Sequence, residues 1–141
     1  MPLIRKLEKS DAKHVVFLIR QLTKNIVAPK NFLQRIEGLA EPGNWQYFVA
    51  EKDDKVVGFA GIAWYPIPSK GMVGWIEEVV VDENFRGQGL AHKLMEELLY
   101  VALFRDLAQV KLTTGNDIAQ HIYEEFGFSV KEEHLMVKKY Y

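Results

Sequence analysis

The sequence predicts an α/β fold of the α+β kind, with a mixed, mostly antiparallel sheet of six to seven strands and about four helices. β-branched and aromatic segments with strand periodicity fill the middle of the chain, and segments with helical periodicity lie on either side. Turn residues separate the two kinds. One strand–helix–strand unit follows the middle segment, and such a unit adds a parallel pair to an otherwise antiparallel sheet.

The chain is predicted to form one domain over residues 1–141, because a second domain would leave neither with a good core. Its 48% hydrophobic and 26% charged residues are typical of a folded soluble protein. The N-terminus lacks the continuous apolar segment of a signal peptide. The longest apolar run, Leu98 to Phe104, is far shorter than the roughly 20 residues that span a bilayer. We therefore expect a cytoplasmic protein with no membrane partner.

Charge and cysteine content exclude several function classes. The 18 basic and 19 acidic side chains give a formal net charge of -1, so no nucleic-acid partner is predicted. The absence of cysteine excludes disulfides, a thiolate nucleophile and zinc sites built on sulfur. No metal is predicted, because metal-ligand spacing is not found among the four histidines, His14, His92, His121 and His134.

The first elements are a strand and two helices. Leu3 to Leu7 predicts an opening strand, and Ser10 with Asp11 offers an N-cap for a helix over AKHVVFLIRQL. A second helix is predicted over Asn31 to Leu39, and EPGN ends it.

An antiparallel meander of three strands is predicted next. Its first two strands, YFVAEKD and KVVGFAGIAWYP, are joined by Asp53 and Asp54, which suit a tight hairpin turn. Pro66, Pro68 and Gly71 indicate an irregular loop before the third strand, MVGWIEEVVV.

The last third of the chain alternates helix and strand. A third helix carries the apolar stripe Leu90, Leu94, Leu98 and Ala102, and the strand AQVKLTT after it must run parallel to the strand before it. A fourth helix, NDIAQHIYEEFG, has Asn116 as N-cap, Gly127 as its stop and Ile118, Ile122 and Phe126 as its apolar stripe. The tail FSVKEEHLMVKKYY is predicted to form two short strands around Glu132 to His134.

A glycine-containing stretch, Arg86 to Ala91 (RGQGLA), stands where a run of valines ends and the third helix begins. A helix N-terminus stabilises an anion, and Gly87 and Gly89 lack side chains that would keep a phosphate at a distance. A Walker loop would need Gly-Lys-Ser/Thr, and a dinucleotide-binding motif would follow the first strand of a parallel sheet. The stretch therefore predicts a pyrophosphate site of another kind, with a plain tight turn as the alternative.

The same stretch resembles the Arg/Gln-x-x-Gly-x-Gly/Ala motif of the GCN5-related N-acetyltransferases (GNAT family), which stands between the fourth strand and the third helix. Residues 116–128 are similar to the family's second motif, with Asn116, Ala119, Tyr123 and a closing Gly127 and Phe128. The resemblance covers nearly the whole chain, although the first 45 residues carry no diagnostic residues. It implies the GNAT fold, with helices on both faces of the sheet.

The resemblance implies acetyl-CoA as cosubstrate and direct attack by an amine in a ternary complex. Backbone groups of the glycine stretch would hold the CoA pyrophosphate, Arg86 would close the loop around it, and the valine strand would bind the pantetheine arm and polarise the thioester carbonyl. Asn116 would contact the pantetheine arm, and capping its own helix is its alternative role. The implied cofactor-binding residues are Val79, Val80, Val81, Arg86, Gly87, Gln88, Gly89, Leu90, Ala91, Asn116 and Tyr123.

Glu77, Glu78 and Tyr123 are the candidate catalytic residues. A lysine-like ammonium has a pKa near ~10.4, so a base or a positioned water must take its proton before attack. Glu77 and Glu78 lie on the strand beside the expected thioester, with Glu77 slightly preferred and solvated surface glutamates as the alternative. Tyr123 matches the family's proton donor to the CoA thiolate, and a buried structural tyrosine is its alternative role.

The acceptor amine is not identified by the sequence. The resemblance implies a pocket formed by the first two helices and by loops near the third and last strands, where Phe32, Trp45, Trp64, Tyr65 and Tyr141 are either lining or core residues. The predicted partner is a small-molecule or terminal amine, and a homodimer is left open. The alternative function is an acyl-CoA-binding sensor or regulatory module without turnover, which would need the glycine stretch but not the candidate catalytic residues.

Overall fold

The computed structural model describes residues 2–115 and 117–141, and within them it contains five strands and four α-helices. The strands are β1 (Leu3–Lys6), β2 (Trp45–Lys52), β3 (Lys55–Ile67), β4 (Gly71–Val81) and β5 (Gln109–Lys111). The helices are α1 (Ala12–Leu22), α2 (Phe32–Gly38), α3 (Leu90–Phe104) and α4 (Asp117–Glu125). The predicted order of these elements is confirmed.

The five strands form one sheet in chain order. β1 to β4 pair antiparallel with their neighbours, and β5 runs parallel to β4, so the predicted meander and parallel pair are confirmed. Asp53 and Asp54 join β2 to β3 with φ values of 53° and 61°, as a type I′ hairpin turn requires. The loop predicted around the prolines is shorter than expected, because β3 continues through Pro66.

Helices cover both faces of this sheet, as the resemblance implies. On one face α1 and α2 pack against Val49, Phe59 and Val80, and we call this side the α1/α2 face. On the other, α3 packs against Phe48 and Ile62, and we call it the α3 face. The predicted stripe of α3 is buried at Leu90, Leu94, Leu98 and Ala102. Within the described residues, every helix is too short or too polar to span a bilayer.

The start of α1 differs in detail from the predicted cap. The carboxylate of Asp11 accepts a hydrogen bond from the Glu8 N–H (2.8 Å), so it caps the short turn before α1 and not α1 itself. Arg5 donates to both carboxylate oxygens of Asp11 (2.8 and 2.9 Å) and to Glu51 (2.8 Å). Burial raises the pKa of Asp11, but the hydrogen bonds from Arg5 and the Glu8 N–H outweigh it and hold the pKa below its usual value.

α4 ends as predicted but packs differently. The N–H of Gly127 donates to the carbonyl of Glu124 (3.0 Å) and that of Phe128 to the carbonyl of Tyr123 (3.2 Å), a Schellman closure. The predicted stripe is wrong at Ile118, which is 77% exposed, because the C-terminal half of α4 makes the contact with the α3 face. Asn116, the predicted cap, lies outside the described residues.

The prediction of two C-terminal strands is wrong. Residues 128–141 form no strand, so the sheet has five strands and not six to seven. Val130, Leu135 and Met136 are exposed in this segment. The physical reason is that strand propensity depends on a neighbouring strand to pair with, and the tail does not pair with β5.

Candidate active site

The glycine stretch forms a loop whose backbone only glycine adopts readily. Gly87 and Gly89 have φ values of 78° and 77°, in the left-handed region where other residues are strained. A methyl group built on either residue would meet no protein atom within 4 Å. The glycines are therefore required by backbone conformation, and the space beside them is open to a ligand.

This loop presents the N-terminus of α3 to that open space. Gly89 is the N-cap of α3, and the first intrahelical bond runs from the Lys93 N–H to the Gly89 carbonyl (3.1 Å). The N–H groups of Leu90, Ala91 and His92 precede that bond and have no partner one turn back in the helix. Together with the helix dipole they favour a bound anion.

Two cationic side chains flank the loop. The Nε of Arg86 donates to the Val81 carbonyl (3.1 Å) and ties the loop to the end of β4. The ammonium group of Lys52, at the end of β2, donates to the side-chain oxygen of Gln88. No sequence pattern indicates Lys52, because its contact with a residue 36 positions away depends on how the β2–β3 hairpin is placed beside the loop.

β4 and β5 separate beyond their first residues. β5 pairs only with Val73, Gly74 and Trp75, whereas β3 pairs with β4 along most of its length, from Gly71 to Val81. The edge of β4 from Ile76 to Val81 therefore has no β5 partner, and its backbone groups on that side can bind an extended ligand. Val79, Val80 and Val81, predicted to bind the pantetheine arm, lie on this edge.

A bulge in β4 lies at the two glutamates. Glu77 pairs with Gly61 and Val80 pairs with Phe59, so two residues of β4, Glu78 and Val79, oppose one residue of β3. Glu78 has a φ of 58°, in the left-handed region, and this conformation costs a residue other than glycine about 1–2 kcal/mol. Strict alternation along β4 is broken here, so the two carboxylates need not point to opposite faces.

Both glutamates are surface-accessible, yet their proton affinities are perturbed. Burial of part of each side chain raises the pKa of Glu77 and of Glu78, and the charge of Glu78 raises that of Glu77 further. A carboxylate with a raised pKa is a stronger proton acceptor, which is the property required of a general base.

Tyr123 is half-buried and packs on the α3 face, in the cluster that includes Val79, Val81 and Leu90. Its ring contacts that of Phe128 edge to face, with centroids 6.2 Å apart. Burial raises the pKa of its hydroxyl, so the group is protonated at neutral pH and can donate a proton or a hydrogen bond. Tyr123 thus lies on the α3 face of the sheet, the face to which Val79 and Val81 of β4 also contribute side chains.

The aromatic residues predicted to line an acceptor pocket divide between core and surface. Phe32 and Trp64 are buried in the two core clusters. Trp45 is half-buried, and its Nε1 donates to a carbonyl at the end of α2 (3.1 Å). Tyr65 is exposed, whereas Tyr141 lies at a recess of about 720 Å³ between the C-terminus and the segment that joins α1 to α2.

Comparison with known proteins agrees with this geometry. The model of the Acetyltransferase (GNAT) family matches residues 11–128. An uncharacterized N-acetyltransferase of Archaeoglobus fulgidus is 41% identical over 69 residues, and the aligned part spans only 47% of that relative. Glucosamine 6-phosphate N-acetyltransferase of Arabidopsis thaliana is 30% identical, with 98% of this chain and 95% of that protein covered.

The fold agrees as well. The crystal structure of glucosamine-6-phosphate N-acetyltransferase from Arabidopsis thaliana has a TM-score of 0.83 at 29% identity, with 99% of each chain covered. The resemblance found in the two sequence motifs is confirmed by these matches. The chain belongs to the Acetyltransferase (GNAT) family.

Proposed function

We propose that this protein is an acetyl-CoA-dependent N-acetyltransferase that acetylates a primary amine. The observation that carries the proposal is the arrangement around β4, whose edge beyond Trp75 has no β5 partner. Tyr123 packs on the α3 face, in the same cluster as Val79 and Val81 of this strand. Glu77 lies on β4 in register with Gly61 and Tyr47, and Tyr47 packs on the α1/α2 face. A proton donor and a proton acceptor beside one acyl site suit attack by an amine and departure of a thiolate.

The residues around the loop fit acetyl-CoA. The N–H groups from Gln88 to Ala91 would hold the pyrophosphate in the open space beside Gly87 and Gly89. Lys52 would add a positive charge next to the pyrophosphate, and the backbone of Val79 and Val81 would bind the pantetheine arm. When bound there, acetyl-CoA supplies an acyl group activated as a thioester.

The chain's own groups would move the protons. Glu77 or Glu78 accepts a proton from the acceptor ammonium, directly or through a water, and leaves a neutral amine. The amine attacks the thioester carbonyl and the C–N bond forms; the nitrogen then loses its second proton to water and the C–S bond breaks. The hydroxyl of Tyr123 donates a proton to the departing sulfur and is reprotonated from water. A thiolate whose conjugate pKa is about 8.5, by analogy with cysteine, gains from this donor without strictly requiring it.

The proposed acceptor is a small primary amine, or the terminal amine of a peptide. The Arabidopsis relative, which aligns with 98% of this chain, is named for glucosamine 6-phosphate. Amino sugars and their phosphates therefore come first in an acceptor panel, followed by lysine analogues, polyamines and peptides with free N-termini.

The test is turnover of that panel with acetyl-CoA, measured as release of free thiol and confirmed by the mass of the acetylated product. We expect at least one amine to be acetylated at a rate that falls when Glu77 and Glu78 are both replaced by Gln. Tight CoA binding without turnover of any amine would refute the enzyme and favour the sensor. Failure to bind CoA would refute both.

A further inference from the structure

Tyr47, on β2, is a buried titratable residue that has no part in the chemistry above. It is 8% exposed and belongs to the core cluster of the α1/α2 face. The neighbours that α1, α2 and the end of β1 contribute to this cluster are apolar, among them Leu7, Val15 and Phe32. A tyrosine in such surroundings normally has a polar partner for its hydroxyl. The neighbouring carboxylates are those of Glu77 and Glu78 on β4.

Tyr47 lies in one row with Gly61 and Glu77. It pairs with Gly61 on β3, and Gly61 pairs with Glu77 on β4, so the three residues cross the sheet on the same face. Two strand spacings separate Tyr47 from Glu77, about 10 Å between their Cα atoms. The side chain between them is missing, because the middle residue is glycine.

The ring of Tyr47 occupies the space above that glycine. A methyl group on Gly61 would come within 2.0 Å of Cε1 of Tyr47 and 2.6 Å of Cζ, so the ring leans across β3 towards β4. It stacks on Phe59, with centroids 5.3 Å apart and planes inclined by 16°. Gly61 and Phe59 thus hold the hydroxyl end of Tyr47 towards the β4 bulge.

The charge distribution agrees with this direction. Burial raises the pKa of Tyr47, and the charges of Glu77 and Glu78 raise it further, to about 12. Among the described residues, the charges that act on the hydroxyl are these two carboxylates from β4. The hydroxyl is therefore protonated at neutral pH, and two groups that accept hydrogen bonds lie near enough for their charges to act on it.

We propose that Tyr47 is a positioning residue of the acceptor site, whose hydroxyl donates through a bridging water to the carboxylate of Glu77 and holds it in place to receive the proton. The role in catalysis rests on the proposed function, whereas the hydrogen bond does not. A water that bridges the Tyr47 hydroxyl and the Glu77 carboxylate is nearly as favourable in enthalpy as a direct hydrogen bond. A neutral donor stabilises the ionised carboxylate and so opposes the effect of burial on its pKa.

The first test needs no substrate. The pKa of Glu77 is measured by NMR from the chemical shift of its carboxyl carbon, assigned with Glu77→Gln, in the wild type and in Tyr47→Phe. Tyr47→Phe keeps the ring and removes the donor, so the pKa of Glu77 should rise by about 0.5–1 unit. Tyr100→Phe is the matched control, because Tyr100 is 65% exposed on α3. An unchanged or lowered pKa in Tyr47→Phe would overturn the proposal.

The second test uses the reaction. The acidic limb of the kcat/KM profile should move to higher pH in Tyr47→Phe by the same amount, with an acceptor KM that changes less than kcat. Gly61→Ala keeps the hydroxyl but displaces the ring, so the Glu77 pKa should rise there too; if that variant fails to fold, Tyr47→Phe decides alone. If the wild type acetylates no amine, the proposed function fails, while the NMR titration still decides the hydrogen bond.

Discussion

Replacing Gly89 by Val separates the role of the loop in the fold from its role in binding CoA. Gly89 has a φ of 77° and open space around it, so the substitution strains the backbone without creating a clash inside the protein. The strain should lower the free energy of unfolding by about 1–2 kcal/mol. For a chain of this size that corresponds to a fall in Tm of about 3–7 °C.

The expected loss in CoA binding is larger than this strain. The valine side chain would occupy the space beside the first turn of α3, where the pyrophosphate is proposed to lie. Losing two hydrogen bonds to a charged phosphate, at about 1.5 kcal/mol each, removes about 3 kcal/mol of binding free energy. The Kd for CoA should therefore rise about 100- to 200-fold.

Calorimetric titration with CoA and thermal unfolding measure the two effects separately. Gly38→Val is the matched control, because Gly38 also has open space around it but lies at the end of α2 and outside the left-handed region. We expect the control to bind CoA like the wild type. A Kd for Gly89→Val within about threefold of the wild type would refute the assignment of the loop as the pyrophosphate site.

Three further predictions follow from single contacts. Arg5→Met leaves the Asp11 carboxylate buried without its charge partner, and the free energy of unfolding in urea at pH 7 should fall by about 2–3 kcal/mol. The folded pKa of Asp11 is depressed, so its carboxylate stabilises the fold above about pH 3.9, and this stabilisation is lost as the pH falls through the folded pKa. The difference in free energy of unfolding between wild type and variant should therefore be smaller at pH 3 than at pH 7. An equal difference at both pH values would contradict this. Tyr123→Phe should lower kcat about 10- to 100-fold with little change in the KM for acetyl-CoA, and an unchanged kcat in steady-state assays would exclude Tyr123 as the proton donor. Lys52→Met should raise the Kd for CoA about 3- to 10-fold at low salt and by a smaller factor at high salt. If the variant and the wild type have equal Kd values at each salt concentration, the charge of Lys52 does not reach the pyrophosphate.

The elements predicted correctly are those whose signal lies within a few residues. The stripe of α3, from Leu90 to Ala102, follows from helical spacing, and its buried face is the one expected. The Asp53–Asp54 turn follows from the residues that accept positive φ. The tail failed for the opposite reason, since a strand requires a second strand beside it and residues 128–141 have none in the sheet.

The stripe of α4 shows the same limit on a helix. Spacing alone indicated Ile118, Ile122 and Phe126 as one apolar face, yet Ile118 is exposed and Phe126 packs against the α3 face. Which side of a short helix is buried depends on the contacts available at its two ends, and these belong to other elements.

The sequence by itself determined the strand and helix order up to Gly127, the family, and the position of the glycine stretch at the start of α3, because periodicity and motif spacing are local properties of the chain. The tertiary structure decided which distant residues meet. Strand register placed Tyr47, Gly61 and Glu77 in one row, a bulge gave Glu78 its positive φ, and hairpin placement brought Lys52 to Gln88. Such contacts join residues 14 to 36 positions apart, and the packing of the whole sheet selects them, since no short segment of sequence contains both partners.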